Sequence, residues 1–124
     1  MTRCLFVTGT DTGVGKSVVA AGLLHAAGAA GLRTVGLKPV AAGGEYRDGA
    51  WVNDDALLLQ ATASIPLPYA AVNPAFVPEP VAPHIAAARA GGALAVAPLA
   101  AAVRGVLDAH RPDLAIIEGA GGWL

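Results

Sequence analysis

LFVTGTDTGVGKS, residues Leu5 to Ser17, is the stretch whose reading decides the fold. It closes on Gly15-Lys16-Ser17 and carries Gly9 and Gly13 upstream, a variant of the G-x-x-x-x-G-K-[ST] phosphate loop in which Gly9 is displaced by one position. Cys4-Leu5-Phe6-Val7 reads as a short buried strand leading into the loop. The breaker-free run from Val18 to Leu24 reads as a helix leaving it. Strand, glycine loop and helix make a phosphate cradle: glycines bring backbone N–H groups close to an anion. The helix aims its unpaired N–H groups and positive dipole end at the same place. Lys16 adds a mobile charge for the outer phosphates. Ser17 adds a hydroxyl of the hard-oxygen type that Mg²⁺ prefers.

The first helix is expected from Gly15 to about Ala30, with Gly31 as its C-cap and with Gly22 and Gly28 allowing close approach to a sheet. His25, mid-helix, reads as a surface or packing residue. Arg33 to Val40, RTVGLKPV, is the second expected strand, parallel to the first. Lys38 then stands at the carboxyl end of that strand, the edge on which open α/β sheets bind ligands. Ala41 to Val52 reads as a polar loop. Asn53 is the expected N-cap of a helix beginning near Ala56. Asp55 in its first turn suits either a helix-dipole partner or a metal ligand.

Residues 64–83 carry six prolines and read as an irregular connection with a short extended piece from Val72 to Val77. A helix is expected from about His84 to Ala90, and another starting at Pro98 and ending near His110. Asp113 to Glu118 reads as a buried strand ending in an acid on the active edge. Gly119-Ala120-Gly121-Gly122 follows, where backbone comes close to a ligand.

Composition bounds the rest. The chain of 124 residues is long enough for one domain, and 55% of it is apolar. A net charge of −1 without a basic run excludes general electrostatic nucleic-acid binding. Cys4 alone allows no internal disulfide, fits a reducing compartment and reads as a small buried hydrophobe. The apolar run after Met1-Thr2-Arg3 is too short for a secretory signal, and no uncharged run free of breakers spans a bilayer. His84 and His110 lack partners at zinc-ligand spacing. The expectation is a cytoplasmic α/β protein with a P-loop NTPase-like parallel sheet flanked by helices, its strands near residues 3–8, 33–38 and 113–118.

Five pieces together resemble the dethiobiotin synthase family of the biotin pathway: VTGTDTGVGKS, LKPVAAG around Lys38, NDDALLLQ around Asp55, VNP with EPVAPH, and IIEGAGGWL. The resemblance implies an ATP- and Mg²⁺-dependent ligase that joins 7,8-diaminononanoate and CO₂ into the cyclic urea of dethiobiotin, working as a homodimer with its active site at the interface. It implies catalytic roles for Lys16, Lys38 and Thr12. It implies nucleotide contacts from Thr12, Gly13, Val14, Gly15, Lys16, Ser17, Asp55, Glu118, Gly119, Ala120 and Gly121, and metal contacts from Ser17, Asp55 and Glu118. Substrate contacts fall to Lys38 and position 42.

Three positions depart from the family pattern. Ala42 stands where members often have a hydroxyl residue, Gly13 where some have an acid, and Ser17 replaces threonine with its hydroxyl kept. Family members also continue through further strands and helices, so residues 1–124 are expected to form the N-terminal part of a single P-loop domain, incomplete at the C-terminus. Two other readings stay open. One is an ATP-driven switch of the partitioning type, which usually carries an extra lysine early in the loop where this chain has Thr10, Asp11 and Thr12. The other is a nucleotide-binding fragment without activity.

Overall fold

A computed structural model of the chain describes residues 2–8, 14–77 and 96–119. Strand β1 (Arg3–Val7) precedes helix α1 (Val14–Ala29), then β2 (Thr34–Leu37), β3 (Val40–Ala42), β4 (Glu45–Arg47) and β5 (Ala50–Val52). Helices α2 (Asp54–Thr62) and α3 (Tyr69–Val72), strand β6 (Ala75–Val77), helix α4 (Val96–His110) and strand β7 (Leu114–Glu118) complete the order.

The central sheet is parallel with order β1-β7-β2. β7, formed last in the sequence, lies between the two strands that α1 connects. Its apolar run Leu114 to Ile117 suits that inner position, because a strand covered on both faces has no need of polar alternation. Register pairs Val7 with Glu118 and Leu37 with Ile117. The ends of β1, β2 and β7 are therefore level. The expected fold class and its three strands are what the structure has.

The core lies between this sheet and the helices. Ala20 and Leu24 of α1, Ala56 and Leu59 of α2, Val35 and Leu37 of β2, and Ala115, Ile116 and Ile117 of β7 are buried in one cluster, joined by Val106 of α4. α1 ends as expected: Gly31 has φ +88°, and the N–H of Leu32 reaches back to the carbonyl of Ala27 at 3.0 Å. A positive φ is what glycine supplies at a helix end. α2 also starts as expected, with the Asn53 side chain accepting from the Ala56 N–H at 3.1 Å. α4 spans the helix expected from Pro98 to His110.

Several expectations are corrected. The strand expected from Arg33 to Val40 is shorter: β2 stops at Leu37, and Val40 opens β3, which pairs in parallel with β6 in a separate sheet. The loop expected from Ala41 to Val52 holds β3 and an antiparallel β4–β5 hairpin turned by Asp48 (φ 51°) and Gly49 (φ 84°). An Asp-Gly pair between two short strands is a strong hairpin signal, because both residues tolerate positive φ. The extended piece expected from Val72 to Val77 is present but shorter: Val72 ends α3 (Tyr69–Val72), and β6 covers Ala75–Val77.

Cys4 is exposed rather than buried, as is β1 from Arg3 to Phe6, whereas β2 at the other end of the sheet order is buried where α1 and α2 pack on it. Close approach to the sheet is made by neither Gly22 nor Gly28. A Cβ on Gly22 would meet nothing within 4 Å, and one on Gly28 only Ser64. A crowded glycine of the central sheet is Gly36 inside β2, where a Cβ would lie 2.8 Å from Leu24 Cδ1 and 3.0 Å from Leu59 Cβ. The small residue thus sits on the strand, and α1 and α2 press large side chains onto it. The helix expected near His84 to Ala90 lies outside the described residues.

Candidate active site

Three elements deliver their ends to one place. β7 ends on Glu118, α1 begins near Ser17, and β2 runs out into Lys38. Because Leu37 is level with Ile117, the residue after β2 stands level with Glu118. Glu118 is fully buried. Its Oε1 accepts from Ser17 Oγ at 2.8 Å and from Lys38 Nζ at 3.1 Å. Lys38 Nζ also donates to Asp55 Oδ2 at 3.2 Å and to the Gly119 carbonyl at 3.5 Å.

Lys38 is itself buried, while the Asp55 side chain is 40% exposed. The lysine therefore joins an interior acid to one that faces the solvent side. A buried ammonium needs such pairing, since an unpaired buried charge is costly. One lysine between two carboxylates leaves the cluster with a formal surplus of negative charge. Glu118 Oε2 is the feature that pairing does not explain: it is buried and has no hydrogen-bond partner. An unsatisfied carboxylate oxygen beside a serine hydroxyl, with Asp55 within reach of the same lysine, is a set of hard oxygen donors. Such donors suit Mg²⁺.

Beside the cluster lies an open cleft of about 330 Å³ lined by Ala42, Gly43, Gly44, Glu45, Asn53, Asp54 and Asp55. Its acids come from the β4 start and the α2 first turn, so it presents negative charge. Arg47, on the hairpin, ties the two acids on its rim, reaching Glu45 at 2.8 Å and Asp54 at 3.2 Å. The hydrogen bond and charge of Glu45, more than those of Asp54, raise the pKa of this guanidinium.

Of the residues singled out in the sequence, the structure brings Ser17, Lys38, Asp55, Glu118 and Gly119 together and sets Ala42 in the adjoining cleft. Gly15 and Lys16 open α1 in the same turn as Ser17. Val14 is the first residue of that helix. Thr12, Gly13, Ala120 and Gly121 lie outside the described residues. The sequence reading missed Tyr69, Asn73 and the side-chain amide of Asn53, which hold the site from behind. Its reading of Asn53 stopped at the helix cap. Nothing in the local sequence around Tyr69 marks it, because the helix start that it serves, at Asn53, is 16 residues away.

A parallel α/β sheet with a serine at a helix start, a lysine and a buried acid gathered at its carboxyl edge is of the P-loop NTPase-like class. The family model described as AAA domain matches residues 3–124, and the chain belongs to that family. It is 50% identical over 123 residues, 99% of the chain, to the ATP-dependent dethiobiotin synthetase BioD 1 of Salmonella typhi. It is 52% identical over 118 residues to the ATP-dependent dethiobiotin synthetase BioD of Pseudomonas paraeruginosa, and 54% over 119 residues to that of Pseudomonas aeruginosa. The resemblance carried by the five motifs therefore extends along almost the whole chain. The chain spans about half the length of these relatives, 53%, 51% and 51% of each in turn.

Proposed function

We propose that the protein acts as an ATP- and Mg²⁺-dependent dethiobiotin synthetase, closing a cyclic urea from 7,8-diaminononanoate and CO₂. The observation that carries the reading is the convergence of Ser17, Lys38, Asp55 and Glu118 on one edge of the sheet, at the start of a helix whose preceding loop has phosphate-binding composition. The similarity to synthetases of that printed name supports the same reaction.

One amine of the substrate adds to CO₂ and loses a proton, giving a carbamate. A carbamate oxygen attacks the γ-phosphorus of ATP, the bond to the β-phosphate oxygen breaks, and ADP leaves. The second amine then attacks the carbamoyl carbon, phosphate departs as the ring closes, and the attacking nitrogen gives up a proton. Lys16 neutralises charge on the transferring phosphoryl group. Lys38 contacts the carbamate and holds it against the phosphate, with Thr12 donating from the loop. Gly13, Val14 and Gly15 offer backbone N–H groups to the phosphates, and Gly119, Ala120 and Gly121 bring backbone to the nucleotide.

Ser17, Asp55 and Glu118 would hold Mg²⁺, which when bound supplies charge neutralisation between phosphate oxygens. The acidic cleft beside Ala42 suits a substrate bearing two amines, and the missing hydroxyl at position 42 leaves that contact to backbone. The reading includes a homodimer in the cytoplasm that uses neither nucleic acid nor membrane. No described helix is long and apolar enough to cross a membrane.

Radiolabelled bicarbonate tests the reaction. With diamine, ATP and Mg²⁺, label is expected in an acid-stable product, with ADP released in equal amount only when diamine is present. ADP release that ignores the diamine would instead indicate the switch-type ATPase. Nucleotide binding without turnover would indicate a binding module.

A further inference from the structure

Behind Lys38 and Asp55 runs a polar chain built on two buried asparagines and the partly buried Tyr69. The Tyr69 hydroxyl accepts from the Asn53 backbone N–H at 2.9 Å and donates to Asn73 Oδ1 at 3.1 Å. Asn73 Nδ2 donates to the carbonyls of Lys38 at 2.9 Å and Ala75 at 2.7 Å. The Asn53 side chain caps α2 through the Ala56 N–H and donates to the Gly43 carbonyl at 2.9 Å. The backbone of Lys38 is fastened on the same side, its N–H donating to the Val72 carbonyl at 2.8 Å. Asn53 and Asn73 are both buried.

One hydroxyl thus joins the segment carrying Lys38 to the helix start carrying Asp55, and through Asn53 to the wall of the cleft. A scaffold needing only a tight core would fill this volume with apolar side chains, since a buried polar group adds little net stability and is costly when broken. Here Asn73 holds the Lys38 backbone, and Tyr69 and Asn53 hold the start of the helix that bears Asp55.

We propose that Tyr69 is a positioning residue that sets the Lys38–Asp55 pair, acting through Asn73 on one side and Asn53 on the other. The inference rests on the reading that Asp55 serves the metal–nucleotide complex and deepens it. Tyr69→Phe keeps the ring, which packs against the core, and removes only the hydroxyl.

The test uses Tyr69→Phe, Asp55→Asn and the double variant, titrated with Mg²⁺ and a non-hydrolysable ATP analogue. The ammonium resonance of Lys38 is followed in ¹⁵N-labelled, ligand-free protein. Tyr69→Phe is expected to weaken binding about tenfold, and the double variant to lose less than the sum of the single losses. The Lys38 resonance is expected to move in Tyr69→Phe and to stay in Val106→Ala, a core variant that controls for general loosening. Additive losses, or an unmoved Lys38 resonance, would overturn the inference. If Asp55→Asn binds like the unsubstituted protein, the functional reading of Asp55 fails instead, and the Lys38 resonance alone then decides the role of Tyr69. Should Tyr69→Phe not fold, Asn73→Ala takes its place in the same measurements.

Discussion

Glu118 shows how one side chain can be both costly and needed. It is fully buried, shares one oxygen between Ser17 and Lys38, and keeps the other unpaired. Two substitutions separate its structural and functional parts. Lys38→Ala leaves the carboxylate buried without its cation, so urea denaturation is expected to show a loss of about 3–5 kcal/mol. Glu118→Gln removes the charge while keeping the shape, and Lys38 still has Asp55. Stability is expected to fall much less, while Mg²⁺-dependent nucleotide affinity falls about 10–100-fold by calorimetry. In the proposed reaction Lys16 neutralises the phosphoryl group, so Lys16→Ala is expected to raise the barrier by about 3 kcal/mol or more. Single-turnover ADP formation measures that loss, and an undiminished rate would remove Lys16 from the mechanism.

The elements differ in what holds them. α2 depends on its cap, because Asn53 serves the Ala56 N–H, the Gly43 carbonyl and, through its own N–H, Tyr69. Asn53→Ala is expected to lose more than the roughly 1 kcal/mol usual for an N-cap, since a cleft-wall bond goes with it. β2 depends on having no side chain at Gly36. Gly36→Ala would press a methyl group on Leu24 and Leu59, and a loss of about 1–3 kcal/mol is expected in the urea midpoint. The hairpin depends on Gly49, and its tip is otherwise held by exposed ion pairs from Arg47, which contribute little in water. Its aromatic residues extend the support inward: Tyr46 meets Trp51 edge-on at 5.5 Å, and Trp51 stacks on Phe76 of β6 at 5.8 Å.

For the whole molecule, the site is a meeting of strand ends and a helix start, so ligand binding and folding are linked. Anything that binds only the folded form stabilises it by mass action, about 2.7 kcal/mol at a free concentration one hundred times Kd. Mg²⁺-ATP is therefore expected to raise the melting temperature. The rise is expected to shrink in Ser17→Ala and to vanish in Lys16→Ala, although neither residue belongs to the hydrophobic core. A melting temperature that rises equally in all three proteins would place the nucleotide elsewhere.

Local chemistry made much of this legible in order. The helix opening on Gly15-Lys16-Ser17, the Gly31 and Asn53 caps, the Pro98 helix and the apolar run ending at Glu118 each depend on neighbours a few residues away. Their physics is therefore written in short stretches. Asp48-Gly49 was written there too, as the turn of the β4–β5 hairpin. Burial was different. Cys4 is apolar enough for a core, yet β1 is left exposed while β2, at the other end of the sheet order, is covered by α1 and α2, and only packing decides that. The same holds for Gly36, whose crowding comes from Leu24 and Leu59 across two helices, and for Tyr69, whose hydroxyl finds Asn53 16 residues away. The sequence by itself determined which residues carry charge, glycine-rich backbone and a hydroxyl of the metal-binding type. Only the insertion of β7 between β1 and β2 brought Glu118 level with Lys38 and within reach of Ser17, because strand order is set by how distant apolar faces pack together.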